Sequence, residues 1–258
     1  YIDEVSKFPP SIAAVETAIP AFIGFTEKAE KNGKDLEPFQ PVRIGSLLEY
    51  VAIFGTGQKE ENFEVTIVKA DEETKYVVDF NREEGKGPSK HLMFYAMQQF
   101  FDNGGGPCYV ISTGPFGNIG EPLANLENFS AALAELRKLD EPTLIIFPEG
   151  QNMDKDSYFS LLQEALTQCV ELQDRFVIMD LHHDGRGLKT DSEVKAVTDV
   201  FRKAMSQGEE TLRYGAAYFP NIRSTKNYLY DEDKVVIKKD GASSTFASLK
   251  SLEKANVR

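Results

Sequence analysis

Tryptophan is absent from the 258 residues, cysteine occurs only at Cys108 and Cys169, and histidine only at His91, His182 and His183. Two cysteines far apart form no disulfide framework, so a reducing compartment is the default and the fold must rest on its core. No apolar run approaches the ~20 residues a membrane span requires, so direct membrane insertion is not expected. No Lys/Arg-led apolar segment reads as a signal peptide. Positive charge is scarce: Lys+Arg 29 stand against Asp+Glu 41, a net charge of −12. Phosphate contacts need a basic surplus, which argues against a nucleic-acid partner.

What remains is ordinary globular material, 41% hydrophobic and 27% charged. At roughly 150 residues per domain, one large domain with at most a small satellite is expected.

From Ser89 onward the pattern is regular. Ser89 reads as an N-cap, and Leu92, Met93, Ala96, Met97, Phe100 and Phe101 recur at helical spacing, which also places His91 on that helix. Asn103-Gly-Gly-Gly-Pro107 ends it. Apolar strand-like runs then alternate with helical ones: strands over 108–112, 143–147, 175–179 and 214–218, helices over 129–138 and 158–172. A further helix opens at a capping box of Thr190 and Glu193. This β-α-β-α-β-α-β order predicts an α/β fold with a mainly parallel sheet, helices on both faces and right-handed crossovers.

Upstream, Ile19-Pro-Ala-Phe-Ile-Gly-Phe25 reads as a buried strand and 27–41 as a solvated loop. Residues 63–80 read as a β-hairpin. The expected organisation is an extended N-terminal strand arm (1–20), an α/β core (21–57 and 91–222), a small β-hairpin insertion (58–90) and an irregular C-terminal segment (223–258). Within the last, only 234–238 has strand character.

The chemistry-bearing residues are few. Asp180, His182, His183 and Asp184 form the densest metal-capable cluster, just past a strand's carboxyl end, where α/β folds place sites. A zinc or di-metal site needs three or four converging ligands, and His91 has no ligand-spaced partner, so a solvated loop is the preferred reading. The glycines at 104–106 follow a helix, open a strand and carry no Lys, unlike a phosphate loop. Cys108 falls on a buried strand and Cys169 on a helix, without a visible base, so both read as small hydrophobes. No catalytic residue, metal or cofactor is therefore expected.

The N-terminal arm has no purpose inside such a domain. Tyr1-Ile2-Asp3-Glu4-Val5 alternates apolar and acidic, as a half-buried strand does. Phe8-Pro9-Pro10 stops any helix and prevents ladder pairing at the prolines. A free strand can add to a neighbour's sheet edge through main-chain hydrogen bonds, or it can pair within its own domain.

Four stretches resemble one family. Residues 1–5, Ser11-Ile and Ile19-Pro-Ala-Phe-Ile-Gly24 resemble the opening of contractile tail sheath proteins of phages and contractile injection systems. Ile44-Gly-Ser46 through Phe54-Gly55 is similar to a later family segment. Phe100-Phe-Asp-Asn-Gly-Gly-Gly-Pro-Cys-Tyr-Val110 resembles the family's helix-turn-strand, in a form like that of Bacteroidetes-type systems. Residues 142–148, 175–180 and 216–220 resemble its later strands. The resemblance spans about 1–222; the family's C-terminal domain finds no match in 223–258.

This resemblance implies a structural, non-enzymatic subunit that stacks as hexameric rings around an inner tube and contracts to drive it through a target membrane. Strand exchange through Tyr1, Ile2, Asp3, Glu4 and Val5, with Phe8, Pro9, Pro10 and Ser11 as the hinge, would link neighbouring subunits. Implied partners are other sheath subunits, the inner tube protein, and baseplate and terminator proteins. The implied location is the bacterial cytoplasm during assembly, or the tail of a phage-like particle. The competing classes are a metal-dependent hydrolase and a soluble, non-polymerising binding module.

Overall fold

The computed structural model describes residues 18–61, 63–70, 73–80, 88–119, 123, 126–183, 188, 190–206, 208–221, 224–239 and 242–243. The proposed arm and hinge, Tyr1 to Val5 and Phe8 to Ser11, lie outside these, as does Asp184.

The first described strand is β1 (Pro20–Thr26), all seven residues of which are buried. A continuous apolar run without alternation is what a strand covered on both faces requires. Proline is tolerated at its first position. The expected arm boundary at residue 20 therefore falls inside the body: Ile19 is buried and Pro20 already pairs with Leu144.

A small ribbon follows, β2 (Glu30–Lys31) and β3 (Lys34–Asp35), then β4 (Val42–Ile44) and α1 (Leu47–Phe54). The sequence reading named neither β4 nor α1. Ser46 caps α1, its hydroxyl accepting the Glu49 N–H at 3.2 Å while the Glu49 carboxylate accepts the Gly45 N–H at 2.6 Å. The hairpin is β5 (Phe63–Ala70) and β6 (Glu73–Phe80), paired antiparallel throughout. Next come α2 (Met93–Asp102), β7 (Cys108–Pro115), α3 (Leu126–Leu136) and β8 (Leu144–Ile146). A 3-10 turn, Gly150–Asn152, precedes α4 (Lys155–Leu172), β9 (Phe176–Asp180), α5 (Asp191–Ala204), the single-turn α6 (Glu209–Leu212) and β10 (Gly215–Tyr218). The chain's last described strands are β11 (Val236–Lys239) and β12 (Ala242–Ser243).

The main sheet has the order β10-β9-β8-β1-β7-β4. All pairs are parallel except β4 with β7. The chain steps from β1 out to β7, then returns over β1 to β8 and continues to β9 and β10. Right-handed crossovers therefore put α2 on one face and α3, α4 and α5 on the other. The two buried clusters follow this division. Ile23, Ile111, Ile145 and Val177 pack with Phe129, Leu162 and Phe201 on one side. Phe22, Val110 and Ile44 pack with Tyr50, Phe54, Met93 and Met97 on the other.

Four expectations are corrected here. The C-terminal segment is not irregular around a single strand: β11 pairs parallel with β5 and antiparallel with β12, giving a sheet of order β12-β11-β5-β6. The hairpin insertion is thus half of a sheet completed by residues remote in sequence, a parallel pairing with no local signal. Its root is Glu60, 1% exposed, whose carboxylate accepts the Ser89 N–H at 2.9 Å and whose own N–H donates to the Leu229 carbonyl at 2.8 Å. Burial raises the Glu60 pKa, an effect the Ser89 bond opposes. Ser89 is occupied in this junction, donating to Gln58 Oε1 at 2.7 Å, so it is not the N-cap of α2; and His91 precedes the helix instead of lying on it.

Candidate functional site at the carboxyl ends of the strands

Strand order reverses between β1 and β8, and the crevice outside their carboxyl ends is where open α/β sheets bind ligands. α2 points its N-terminus at this crevice, and helix N-termini attract anions. The position is taken by the chain's own carboxylate. Glu149 lies just past β8 with its side chain fully buried. It accepts the Phe25 N–H at 2.8 Å through Oε2, and the Leu92 and Met93 N–H groups at 2.9 and 3.4 Å through Oε1. Leu92, the N-cap of α2, makes no side-chain cap bond, so Glu149 supplies the cap from a distant strand.

Close approach explains Gly24. A Cβ there would stand 3.0 Å from Glu149 Oε2 and from Met93 Cε. His91, 4% exposed, closes the crevice from the side. Its Nε2 accepts the Gly117 N–H at 3.2 Å, and its Nδ1 lies 3.7 Å from Glu149 Oε1. Its ring meets Phe25 edge-on at 5.1 Å and lies tilted against Phe116 at 4.8 Å. The crevice is therefore packed with aromatic rings around a carboxylate whose two oxygens already hold three backbone donors. Chemically this arrangement is a clip joining β1, β8 and α2.

Of the four metal-capable residues, Asp180, His182 and His183 are described. Asp180 ends β9; burial raises its pKa, opposed by a hydrogen bond from Gln151 and by His183. His182 Nε2 lies 2.9 Å from the Met153 carbonyl, with Tyr158 and Phe159 as ring neighbours. His183 Nε2 lies 3.2 Å from Asn221 Nδ2, and Asn221 also pairs with Gln151. Among the described residues no three His, Cys, Asp or Glu side chains converge as metal ligands would. Cys108 and Cys169 are both buried, and burial pushes each thiol up to about 12, far from the thiolate that nucleophilic chemistry needs.

Sequence reasoning missed Glu149. Its only signal was a carboxylate directly behind an apolar strand, at Pro148-Glu149. Tyr158 was assigned to a helix but its second role was not: the hydroxyl bonds both the N–H and the carbonyl of Asp180, at 3.1 and 3.2 Å. Arg175, 3% exposed, donates to the Leu136 and Leu139 carbonyls at the end of α3 while paired with Asp174.

No protein-family model matches the chain, and no curated protein is similar enough to count as a relative. No helix among the described residues is long and apolar enough to cross a membrane.

Proposed function

We propose that this chain is a structural subunit of a contractile tail sheath, one that polymerises as stacked rings around an inner tube and contracts to drive it through a target membrane. The observation that carries the reading is the self-filled crevice. The place where this fold would hold a phosphate or cofactor is spent on tying three elements together through Glu149. A body of this kind transmits force as a unit, which a sheath subunit must do while its neighbours rotate past it. The helix-turn-strand resemblance at 100–110 supports the same reading, because α2, the turn and β7 form one continuous unit beside β1.

In this reading Tyr1, Ile2, Asp3, Glu4 and Val5 pair with a neighbouring subunit, and Phe8, Pro9, Pro10 and Ser11 absorb the rotation. Partners are further copies, the tube protein, and baseplate and terminator proteins, met in the bacterial cytoplasm or in a phage-like tail. Contraction proceeds without nucleotide, down the free-energy difference between two packings of the same subunits. The test is negative-stain electron microscopy of the native reading frame expressed with its neighbouring tube gene. Long tubes of stacked rings support the reading, and their loss on deleting residues 1–5 supports the arm. Discrete monomers or small closed oligomers would reject it in favour of a binding module.

A further inference from the structure

β4 pairs with β7 only over residues 108–110. Beyond that point the outer side of β7 faces the segment between β3 and β4 instead of a strand. A cavity of about 280 Å³ lies there, between residues 36–40 and 112–114. It is separate from the crevice that Glu149 fills. Leu36, Pro38 and Phe39 give it apolar walls, and Thr113 and Asn128 a polar floor. Phe39 holds φ at 58°, a left-handed conformation that is rare for a bulky side chain and clusters at active sites and ligand clamps.

One atom on this floor is unpaired. Thr113 is 1% exposed, and its Oγ1 has no hydrogen-bond partner among the described residues. Buried hydroxyls are ordinarily paired, because an unpaired one forfeits its hydration. Strand alternation turns Thr113 to the same side as Ile111, the side on which Phe39 packs. The neighbouring hydroxyls are spent on each other, Thr26 Oγ1 and Ser112 Oγ at 2.7 Å. Asn128 Nδ2 donates to the Thr113 carbonyl at 2.8 Å, so its Oδ1 is left as an acceptor. Glu37 is the one charged residue of the lining, and its carboxylate meets no cation among the described residues.

We propose that this cavity binds a small primary amine carried on a short apolar body. The lining selects that chemistry. An anion would meet the Glu37 carboxylate, no Lys, Arg or His, and a chain of net charge −12. A hard divalent cation takes about six oxygen ligands or more, several of them carboxylates, and one carboxylate falls short. An ammonium group brings three donors, for the acceptors Thr113 Oγ1, Asn128 Oδ1 and the Glu37 carboxylate. The apolar body packs against Leu36, Pro38 and Phe39. Ligand pockets ordinarily begin near ~300 Å³, so the guest is a single ring or a short chain. The site goes beyond the sheath reading and holds whether or not the chain polymerises.

Fluorine NMR of 4-fluorobenzylamine, titrated with the full 1–258 chain at pH 7 and 0.15 M salt, tests it. Saturable binding with Kd of ~1 mM or tighter is expected. The neutral 4-fluorobenzyl alcohol and the anionic 4-fluorobenzoate should each bind at least roughly tenfold more weakly. Thr113→Val and Glu37→Gln should each weaken the amine by roughly fivefold or more, with the circular dichroism spectrum kept. Binding that does not saturate, that is equal for amine and alcohol, or that survives both substitutions overturns the proposal. If Thr113→Val does not fold, Glu37→Gln decides, since Glu37 is exposed. Nα-acetyl-lysine amide separates a free amine from a lysine side chain of a partner: binding tighter than that of the benzylamine overturns the small-molecule assignment. Tubes in the microscope without saturable amine binding would keep the sheath reading and sink this one.

Discussion

The Glu149 carboxylate holds the Phe25 N–H at 2.8 Å across 124 positions of sequence. Its second oxygen holds the Leu92 and Met93 N–H groups at the start of α2. One side chain thus fixes the end of β1, the end of β8 and the entry of a helix. The helix N-terminus at a strand-order reversal usually waits for an anionic ligand. Here an internal acid supplies the negative charge, and the site becomes part of the core.

Glu149→Gln should therefore destabilise the chain sharply. The amide replaces one accepting oxygen by a donor that faces an N–H group, leaving buried donors unmatched. A loss of about 3 kcal/mol is expected, the scale for breaking a buried charged hydrogen-bond set. Urea denaturation followed by circular dichroism measures it. A loss below ~1 kcal/mol, the worth of one ordinary hydrogen bond, would show that the clip carries little.

Thr190→Ala tests a feature that could be read directly. The Thr190 hydroxyl accepts the Glu193 N–H at 3.3 Å, and the Glu193 carboxylate accepts the Thr190 N–H at 2.9 Å. Loss of such a cap costs about 1 kcal/mol. Since α5 is exposed on most of its surface, the Thr190→Ser variant should restore the loss. Equal destabilisation by Ala and Ser would point to packing of the Thr methyl group instead.

These two residues mark what the sequence made legible. The capping box, the apolar strands and the helical spacings are local patterns, and they yielded the α/β order, the parallel sheet and the hairpin. α1 carried a local sign as well, Ser46 with Glu49 three residues on, but only eight helical residues follow it. Glu149, the β5–β11 pairing and the junction at Glu60 are different. Each joins segments far apart in sequence, and no window of neighbouring residues records them. His91 falls on a helix only when Ser89 is read as the N-cap. The helix begins later, where Glu149 supplies the missing cap.

The cysteines provide a chemical check. Burial holds both thiols at about 12, so Ellman's reagent at pH 8 should leave the native chain unreacted. Both should react once guanidinium unfolds it. Rapid modification of either in the native chain would mean that β7 or α4 opens locally, since Cys108 and Cys169 have no exposed surface.

Asp180 gives the chain a pH dependence of definite sign. Burial raises its pKa in the folded chain, outweighing the opposing Gln151 hydrogen bond and His183. The folded chain therefore binds this proton more tightly than the unfolded chain, whose value is about 3.9. The stability from this group is fully present below that unfolded value and is lost as pH rises through the folded one. Asp180→Asn removes the ionisation but keeps an acceptor for Gln151, and the Tyr158 bonds go to the Asp180 backbone. The variant should thus gain on the native chain as pH rises from the region of ~4 toward neutrality, where the native carboxyl must ionise in a buried setting. Urea midpoints of both chains, taken at the two ends of that range, measure the difference. A gap that stays constant or narrows with rising pH would show that the Asp180 carboxyl ionises as easily folded as unfolded, and that Gln151 and His183 offset its burial in full.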